Sequence, residues 1–457
     1  MKIDIGTNEH VTIAKNGTDI CNLDQLDNII VDELVDLGLY SLPPDPPRYL
    51  TFTANQDNST MRIDKNGTPY ELLNADIKYS TDGGTTWNDY TFTNADGQTI
   101  TLNNGQSVKF KGNNAKFSID GTYYYRFFLS GSFAGSGDVT SLLNGVGGNA
   151  RITDYCFNNL FSGSMALTTA PALPATTLGS YCYYCMFKGC SSLTTAPELP
   201  ATTLASNCYS YMFSGCSSLT TAPALPATTL GSNCYSYMFQ NCTSLATAPE
   251  LPATTLANNC YYYMFKGCSS LTTAPELPAT TLATSCYYYM FNGCTSLTTA
   301  PELPAITLAS YCYNGMFKNC SALTTAPTLP ATTLANYCYY YMFDGCSSLT
   351  TAPALPATTL ADSCYYYMFN GCTSLTTAPE LPAITLASYC YSYMFQNCSN
   401  LNYIKAMFTT TPSSSYTGNW VSRVASTGTF VKNSAATWDV TGTNGVPSGW
   451  TVQTASS

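Results

Sequence analysis

Cysteine and tyrosine are the residues of this chain whose types and spacing could do chemistry. The stretch CYYYMFNGC, from Cys364 to Cys372, recurs letter for letter from Cys286 to Cys294, and near-copies stand in seven further places. Two thiols at a fixed interval could ligate metal, form disulfides, act as nucleophiles or fill a core. Metal has little support, because C-x-x-C spacing occurs once, at Cys182 and Cys185, and is not repeated. His10 is the single histidine, so the body of the chain cannot assemble a Cys-His pair, a Ser-His-Asp triad or a histidine-containing zinc site. No basic neighbour stands by to form a thiolate. If the stretch is helical, its two cysteines are separated by a rise of ~12 Å, whereas a disulfide needs Cα atoms within ~7 Å. Adjacent copies, a helix diameter apart, are not expected to bridge either. The thiols therefore read as small, reduced core-fillers, as suits a protein completed inside a cell. No catalytic residue, metal or cofactor is expected.

The tyrosines offer a surface. The middle of the triplet is Tyr184, Tyr262, Tyr288, Tyr340 and Tyr366, but Ser210, Ser236, Asn314 or Ser392 in other copies. A position that accepts serine reads as outside the deep core. Rings in a nearly uncharged stripe combine apolar area with a hydroxyl handle and could bind glycan or protein. Alternatively they pack on neighbouring copies. The residue after the phenylalanine varies freely (Lys188, Ser214, Asp344) and reads as solvated. Threonine pairs such as Thr194-Thr195 form a second possible platform.

These residues must be positioned by a repeating element. Aligned on the first cysteine, from Cys156 to Cys390, the chain repeats ten times with a period of 26. A period of this length signals a stacked array. Cys364, Met368, Phe369 and Cys372 fall on one stripe of a helix. Two residues before the first cysteine stands a residue of N-cap type in each copy, such as Asp154, Ser206, Asn258 or Asp362. Directly before the second stands Gly or Asn, as a left-handed stop requires. About two helical turns per repeat are therefore predicted. The extended segment after them carries Leu375, Ala378 and Leu381 inward, and Pro379 limits the strand to about three residues, Thr376–Ala378. One repeat cannot stand alone, since ordering its backbone costs about 1–2 kcal/mol per residue; stacking closes the gap. Nine steps of ~4.8 Å give a spine of roughly 43 Å.

The letters Met-Phe-x-x-Cys-x-x-Leu, here Met368, Phe369, Cys372 and Leu375, followed by Leu381-Pro382, resemble the BspA-type leucine-rich repeat and the related 26-residue bacterial surface-protein repeat. The resemblance covers residues 155–403. It implies a solenoid with short strands on one face and a role in adhesion at a surface. The prolines within the strands and the lack of a visible export signal depart from the family pattern.

The flanks read differently. Leu23, Leu26, Ile30, Leu34 and Leu37 lie at helical spacing among acidic residues, an amphipathic helix that either folds on its own domain or docks to a partner. Pro43–Pro47 reads as a stiff linker, closing a segment of residues 1–48. Residues 49–130 hold short alternating runs between turn signals, the pattern of a small all-β sandwich. Within it Ser80 to Trp87 resembles the Asp-box hairpin, with Asp82 placed to bond nearby amides and Trp87 to pack beneath. Residues 131–154 read as a linker or N-terminal cap, and 404–457, with Trp438 and Trp450, as a C-terminal cap.

Only 10% of residues are charged and the net charge is -10. That argues against nucleic acid, whose phosphates need a basic face. No run of ~20 apolar residues is available to insert in a membrane. The fold class expected is a repeat solenoid with a short strand and short helix per coil, preceded by a β-sandwich. The function expected is non-enzymatic: a virion protein of a bacteriophage tail or fibre, docked on a virion structural protein through residues 1–48, whose solenoid binds host-surface glycan or protein. The alternative is an adhesin on a bacterial cell surface.

Overall fold

The computed structural model describes residues 48–69 and 73–455, together with the backbone of three strands closer to the N-terminus. Those strands, β1 (Lys2–Ile5), β2 (Val11–Lys15) and β3 (Thr18–Asn22), pair antiparallel in that order. Chain contacts separate Met1–Pro47 from Arg48–Ser457. The acidic helix expected over residues 21–39 and the proline linker lie outside the described residues, except that Cys21 and Asn22 belong to β3.

Arg48 begins a two-sheet region. It holds β4 (Leu50–Ala54), β5 (Ser59–Asn66), β6 (Lys78–Ser80), β7 (Asn88–Asp89), β8 (Phe92–Thr93), β9 (Asp96–Gly97), β10 (Ile100–Leu102), β11 (Ser107–Lys111), β12 (Tyr124–Ser130) and β13 (Phe133–Ser136). One sheet has the order β10-β5-β12. The other runs β13-β4-β11-β6-β7 and gains β14 (Leu167–Thr169) at its edge. Strict alternation in β4 and β11 sends Phe52 and Phe110 inward. Their ring centroids lie 5.4 and 5.3 Å from that of Phe127 on β12. Residues 131–154 are more than a linker, because they supply β13 and a single helical turn, α1 (Ser141–Asn144). In the Asp-box loop Asp82 accepts from the Thr85 and Thr86 amides, and Trp87 packs edge-on against Tyr49 at 4.8 Å.

The repeats that follow are coils of turns, without the expected helices. In one coil the amides of Cys208, Ser210, Met212, Ser214 and Cys216 each bond the carbonyl three residues back. The alternate amides, of Asn207, Tyr209, Tyr211, Phe213 and Gly215, leave the coil. They donate to Ser232, Cys234, Ser236, Met238 and Gln240 of the next one, at 2.7–3.1 Å. Every fourth residue is left-handed: Asn207 at φ 56°, Tyr211 at 58° and Gly215 at 79°. An α-helix would consume all interior amides along its own axis. This ribbon of turns spends half on itself and half on stacking, so each coil satisfies its neighbour's backbone. The Gly or Asn before the second cysteine does adopt positive φ, as at Gly371 (72°) and Asn397 (61°), but it closes a turn of this ribbon. The residues taken for N-caps bond across coils: Asp154 Oδ1 accepts from the Ser180 amide and Asp362 Oδ1 from the Ser388 amide.

The strand expected in each repeat also shrinks. Between Thr169 and Thr351 the coils meet in a column of single-residue parallel bridges, Thr195 to Thr221 and onward. Pro197 and Pro200 and their equivalents lack the amides that would extend them. Inside, Leu375, Ala378 and Leu381 are buried as the pattern requires. Phenylalanines stack in a column, Phe213–Phe239 at 5.7 Å and Phe239–Phe265 at 5.6 Å. Beside it runs a second buried column of tyrosines, from Tyr183 to Tyr391.

Both ends are closed by matching rings and matching backbone. At the N-terminal end Phe161 packs 5.4 Å from Phe127, and the Phe127 amide bonds the Leu160 carbonyl, so the core continues into the two-sheet region. At the other end residues 414–423 form a further coil that has no cysteine and opens on a helical turn, α2 (Ser414–Thr417). Tyr416, Gly418, Trp420 and Ser422 accept the last outgoing amides, and Asn419 and Arg423 keep the left-handed positions, at φ 49° and 63°. Trp420 lies beneath Tyr391 and Phe395. The strands β15 (Tyr403–Ala406), β16 (Thr429–Lys432) and β17 (Thr451–Thr454) then pair in parallel. Trp438 stacks on Phe408 at 5.4 Å, and Trp450 is buried.

Candidate functional site: the tyrosine face

The ribbon of turns sends two residues in and two out. In the stretch from Cys286, Cys286 and Tyr287 are buried, Tyr288 and Tyr289 are half-buried, and Met290 and Phe291 are buried again. The outward pairs of successive coils stack because hydrogen-bonded coils are spaced ~4.8 Å apart, near the contact distance of parallel rings.

The five tyrosines singled out from the sequence all lie on this face but do not form one column. Tyr262 stacks on Tyr288 with centroids 4.7 Å apart, and Tyr340 on Tyr366 at 4.8 Å. The coil of Asn314 separates these pairs, and Tyr184 stands apart, meeting Tyr181 and Tyr211 at an angle. The more continuous column is the third residue of the triplet. Tyr211, Tyr237, Tyr263 and Tyr289 stack at 4.3–5.2 Å, and after Gly315 Tyr341, Tyr367 and Tyr393 continue at 4.8 and 4.4 Å. The signal for it was present: that position is tyrosine in more copies than the middle one. Its rings sit on residues with positive φ, such as Tyr263 at 55°. A bulky residue enters that region only at a cost, which the ring stack and the inter-coil bonds offset.

Two expectations are corrected here. Ser210, Ser236, Asn314 and Ser392 are buried, at 1–3% exposure, although each stands where other coils carry a half-buried tyrosine. Accepting serine therefore does not mark an exposed position. The residue after phenylalanine is not uniformly solvated either: Asp344 is buried and pairs with Lys318 at 2.7 Å. Lys318 Nζ lies 4.1 Å from the Tyr341 ring centroid, while Lys188 and Lys266 cover Tyr211 and Tyr263. Burial raises the hydroxyl pKa of both Tyr184 and Tyr262 to about 12 and pushes those of Tyr288, Tyr340 and Tyr366 up, so these hydroxyls stay protonated at physiological pH.

The cysteines are inert. All twenty described are free and buried. In the second column each thiol donates to a phenylalanine carbonyl one coil back, as Cys294 Sγ does to Phe265 O at 3.1 Å. Burial raises the thiol pKa, to about 12 at Cys190 and Cys268. The expectation that a helix diameter separates adjacent copies is overturned, since coils are joined by backbone hydrogen bonds. What opposes bridging is the parallel register, which holds neighbouring Cβ atoms ~4.8 Å apart against the about 3.8 Å of a disulfide. Among the described residues no group of three or more His, Cys, Asp or Glu is placed to hold a metal.

The clefts lie on other surfaces. Between coils on the proline side lie clefts such as one of 370 Å³ lined by Glu250, Pro252, Pro275 and Glu276. A cleft of 510 Å³ beside the first coil is lined by Lys116, Arg151, Asp154 and Thr177. The threonine pair Thr194-Thr195 is exposed.

Against known proteins, no curated protein matches the chain. Among solved structures, the TLR13-ssRNA13 complex aligns at 13% identity with a TM-score of 0.22, over 62% of this chain and 45% of that one. The model of the BspA type leucine rich repeat region matches in six copies, over residues 150–300, 230–350 and 310–419. That match spans more than half of the chain, and the chain belongs to the BspA-type leucine-rich repeat family.

Proposed function

We propose that this protein is a non-enzymatic adhesion protein that binds glycan or protein on a host surface through the tyrosine face of its solenoid. The observation that supports this reading is the outward, half-buried stack of third-position rings, Tyr211 to Tyr289 and Tyr341 to Tyr393, with the pairs Tyr262–Tyr288 and Tyr340–Tyr366 beside it. Such rings present large contact area with little side-chain entropy left to lose, since their neighbours already hold them. The repeated scaffold supplies rigidity and the face supplies contact. Membership of the BspA-type family agrees with an interaction role.

We further propose that residues 1–48 dock the chain on a virion structural protein, which places the tyrosine face on a phage tail or fibre. Family membership is compatible with the second reading, display on a bacterial cell surface. Immunogold labelling of purified particles and of intact producing cells separates the two, because only one of them carries the label under each reading. For the adhesive role itself, fluorescently labelled protein is titrated on panels of bacterial and animal cells. The native chain is expected to label a subset, and Tyr288→Ser and Tyr366→Ser are each expected to weaken labelling by about tenfold, the loss of one buried aromatic contact. Unchanged labelling by both variants would retire the tyrosine face.

A further inference from the structure

Between Tyr211 and Tyr393 the third-position column breaks once, at Gly315 beside Asn314, and the break is not empty of chemistry. Gly315 stands where the flanking coils carry Tyr289 and Tyr341. The Tyr289 ring has leaned into the vacancy: its carbons come within 2.6 Å of where a Gly315 Cβ would stand. Asn314 beside it is 2% exposed, and its carboxamide oxygen is buried without a hydrogen-bond partner. Buried acceptors are seldom left unpaired, since each forfeits its hydration for nothing. On the far side of Gly315, Lys318 lies over Tyr341 and pairs with Asp344. Lys188 and Lys266 also cover tyrosine rings, but among the described residues no carboxylate pairs with either of them.

We propose that this break is a subsite for a neutral hexose or hexosamine unit of a glycan, a proposal that rests on the adhesive reading above. Tyr289 swings off Gly315, and the sugar ring takes its place across the bare glycine backbone. There the apolar face of the pyranose lies against tyrosine. A hydroxyl donates to the orphaned Asn314 oxygen, and further hydroxyls bond the Lys318 ammonium and the Asp344 carboxylate. The lysine and aspartate charges cancel, which favours an uncharged polyol over a sialylated or sulfated unit. Glycine is the residue the site needs, because a side chain here would occupy the sugar's place. The backbone itself does not demand glycine: Gly315 has φ 58°, and Tyr289 and Tyr341 adopt 51° and 58° at the same place in their coils.

That equivalence supplies a clean variant. Gly315→Tyr keeps the backbone, fills the break and restores the column. Asn314→Leu removes the acceptor at similar size. The full chain and both variants are applied to a printed array of neutral, sialylated and sulfated glycans, and hits are titrated by calorimetry. The expected result is binding to neutral glycans that each variant weakens by at least about tenfold, while Ser210→Ala, in the same column elsewhere, changes nothing. Recognition confined to acidic glycans, no recognition of any glycan, or equal affinity in Gly315→Tyr would overturn the subsite. Cell labelling keeps this failure distinct from failure of the wider reading. Labelling that survives Gly315→Tyr but is lost in Tyr366→Ser withdraws the subsite and keeps the tyrosine face. No labelling by the native chain withdraws the adhesive role itself.

Discussion

At the scale of single residues, burial in this protein is set by what the next coil lays over a position. Ser236 is covered although it alternates with tyrosine in its column. Asp344 is covered because Lys318 and Asn370 reach it from the coils on either side. The inner tyrosines show the opposite imbalance. Tyr313 is 1% exposed, stacks between Tyr287 and Tyr339, and has a hydroxyl with no hydrogen-bond partner. The ring contributes to the stack, and the hydroxyl only loses its water. Tyr313→Phe is therefore expected to stabilise the fold by about 1 kcal/mol, read as a higher urea midpoint at unchanged slope. The burial of Tyr313 was not read from the sequence, because a helical stripe through Cys312, Met316, Phe317 and Cys320 leaves it out. Nor was its missing partner, because that depends on side chains brought in from other coils.

At the scale of the repeat, the deciding feature is the left-handed residue at every fourth position. Asn207, Tyr211 and Gly215 each reverse the chain once, and together they make a ribbon whose alternate amides point along the stack. Gly371 tests this, having φ 72° and a hypothetical Cβ no closer than 3.7 Å to the neighbouring Gly345. Space is therefore not the constraint there; the dihedral is. Gly371→Asn is expected to be nearly silent, because Asn319 and Asn397 already hold this place at φ 59° and 61°. Gly371→Val is expected to lower stability by about 1–2 kcal/mol, and the difference between the two variants in a thermal melt is the informative quantity. Equal melts would mean that the turn geometry is not under strain.

Among the described residues from Arg48 onward, one continuous core runs from the two-sheet region to the C-terminal strands, with a ladder of neutral thiols and phenols inside it. Its pH response follows. Burial raises the thiol pKa of Cys190 and Cys268 to about 12, against the ordinary 9.0. An unfolded chain releases those protons first as pH rises. Stability is thus full below about 9, and it declines as pH climbs toward about 12. Because twenty described thiols share the effect, the loss is expected to be cooperative, with far-UV and near-UV circular dichroism collapsing together in that window. At pH 7.5 the same thiols are expected to resist Ellman's reagent in the native protein and to react fully in guanidinium. Rapid reaction of most of them in the native state would contradict the dry interior.

By itself the sequence determined the period, the stacking, the inward cysteines, methionine, phenylalanine and leucines of each repeat, and the need for Gly or Asn before each second cysteine, but not the buried tyrosine column. What it did determine follows from the chemistry of one repeat and its need for neighbours. It did not determine that the repeat is a ribbon of turns. An inward pattern of Cys364, Met368, Phe369 and Cys372 fits a helical stripe and an alternation of inward and outward pairs equally well. The choice turns on where the alternate amides find acceptors, and those acceptors belong to the next coil. The tertiary structure likewise decided which tyrosines stack and where the stack breaks. Ring contact is a relation between coils 26 residues apart, which no single repeat contains.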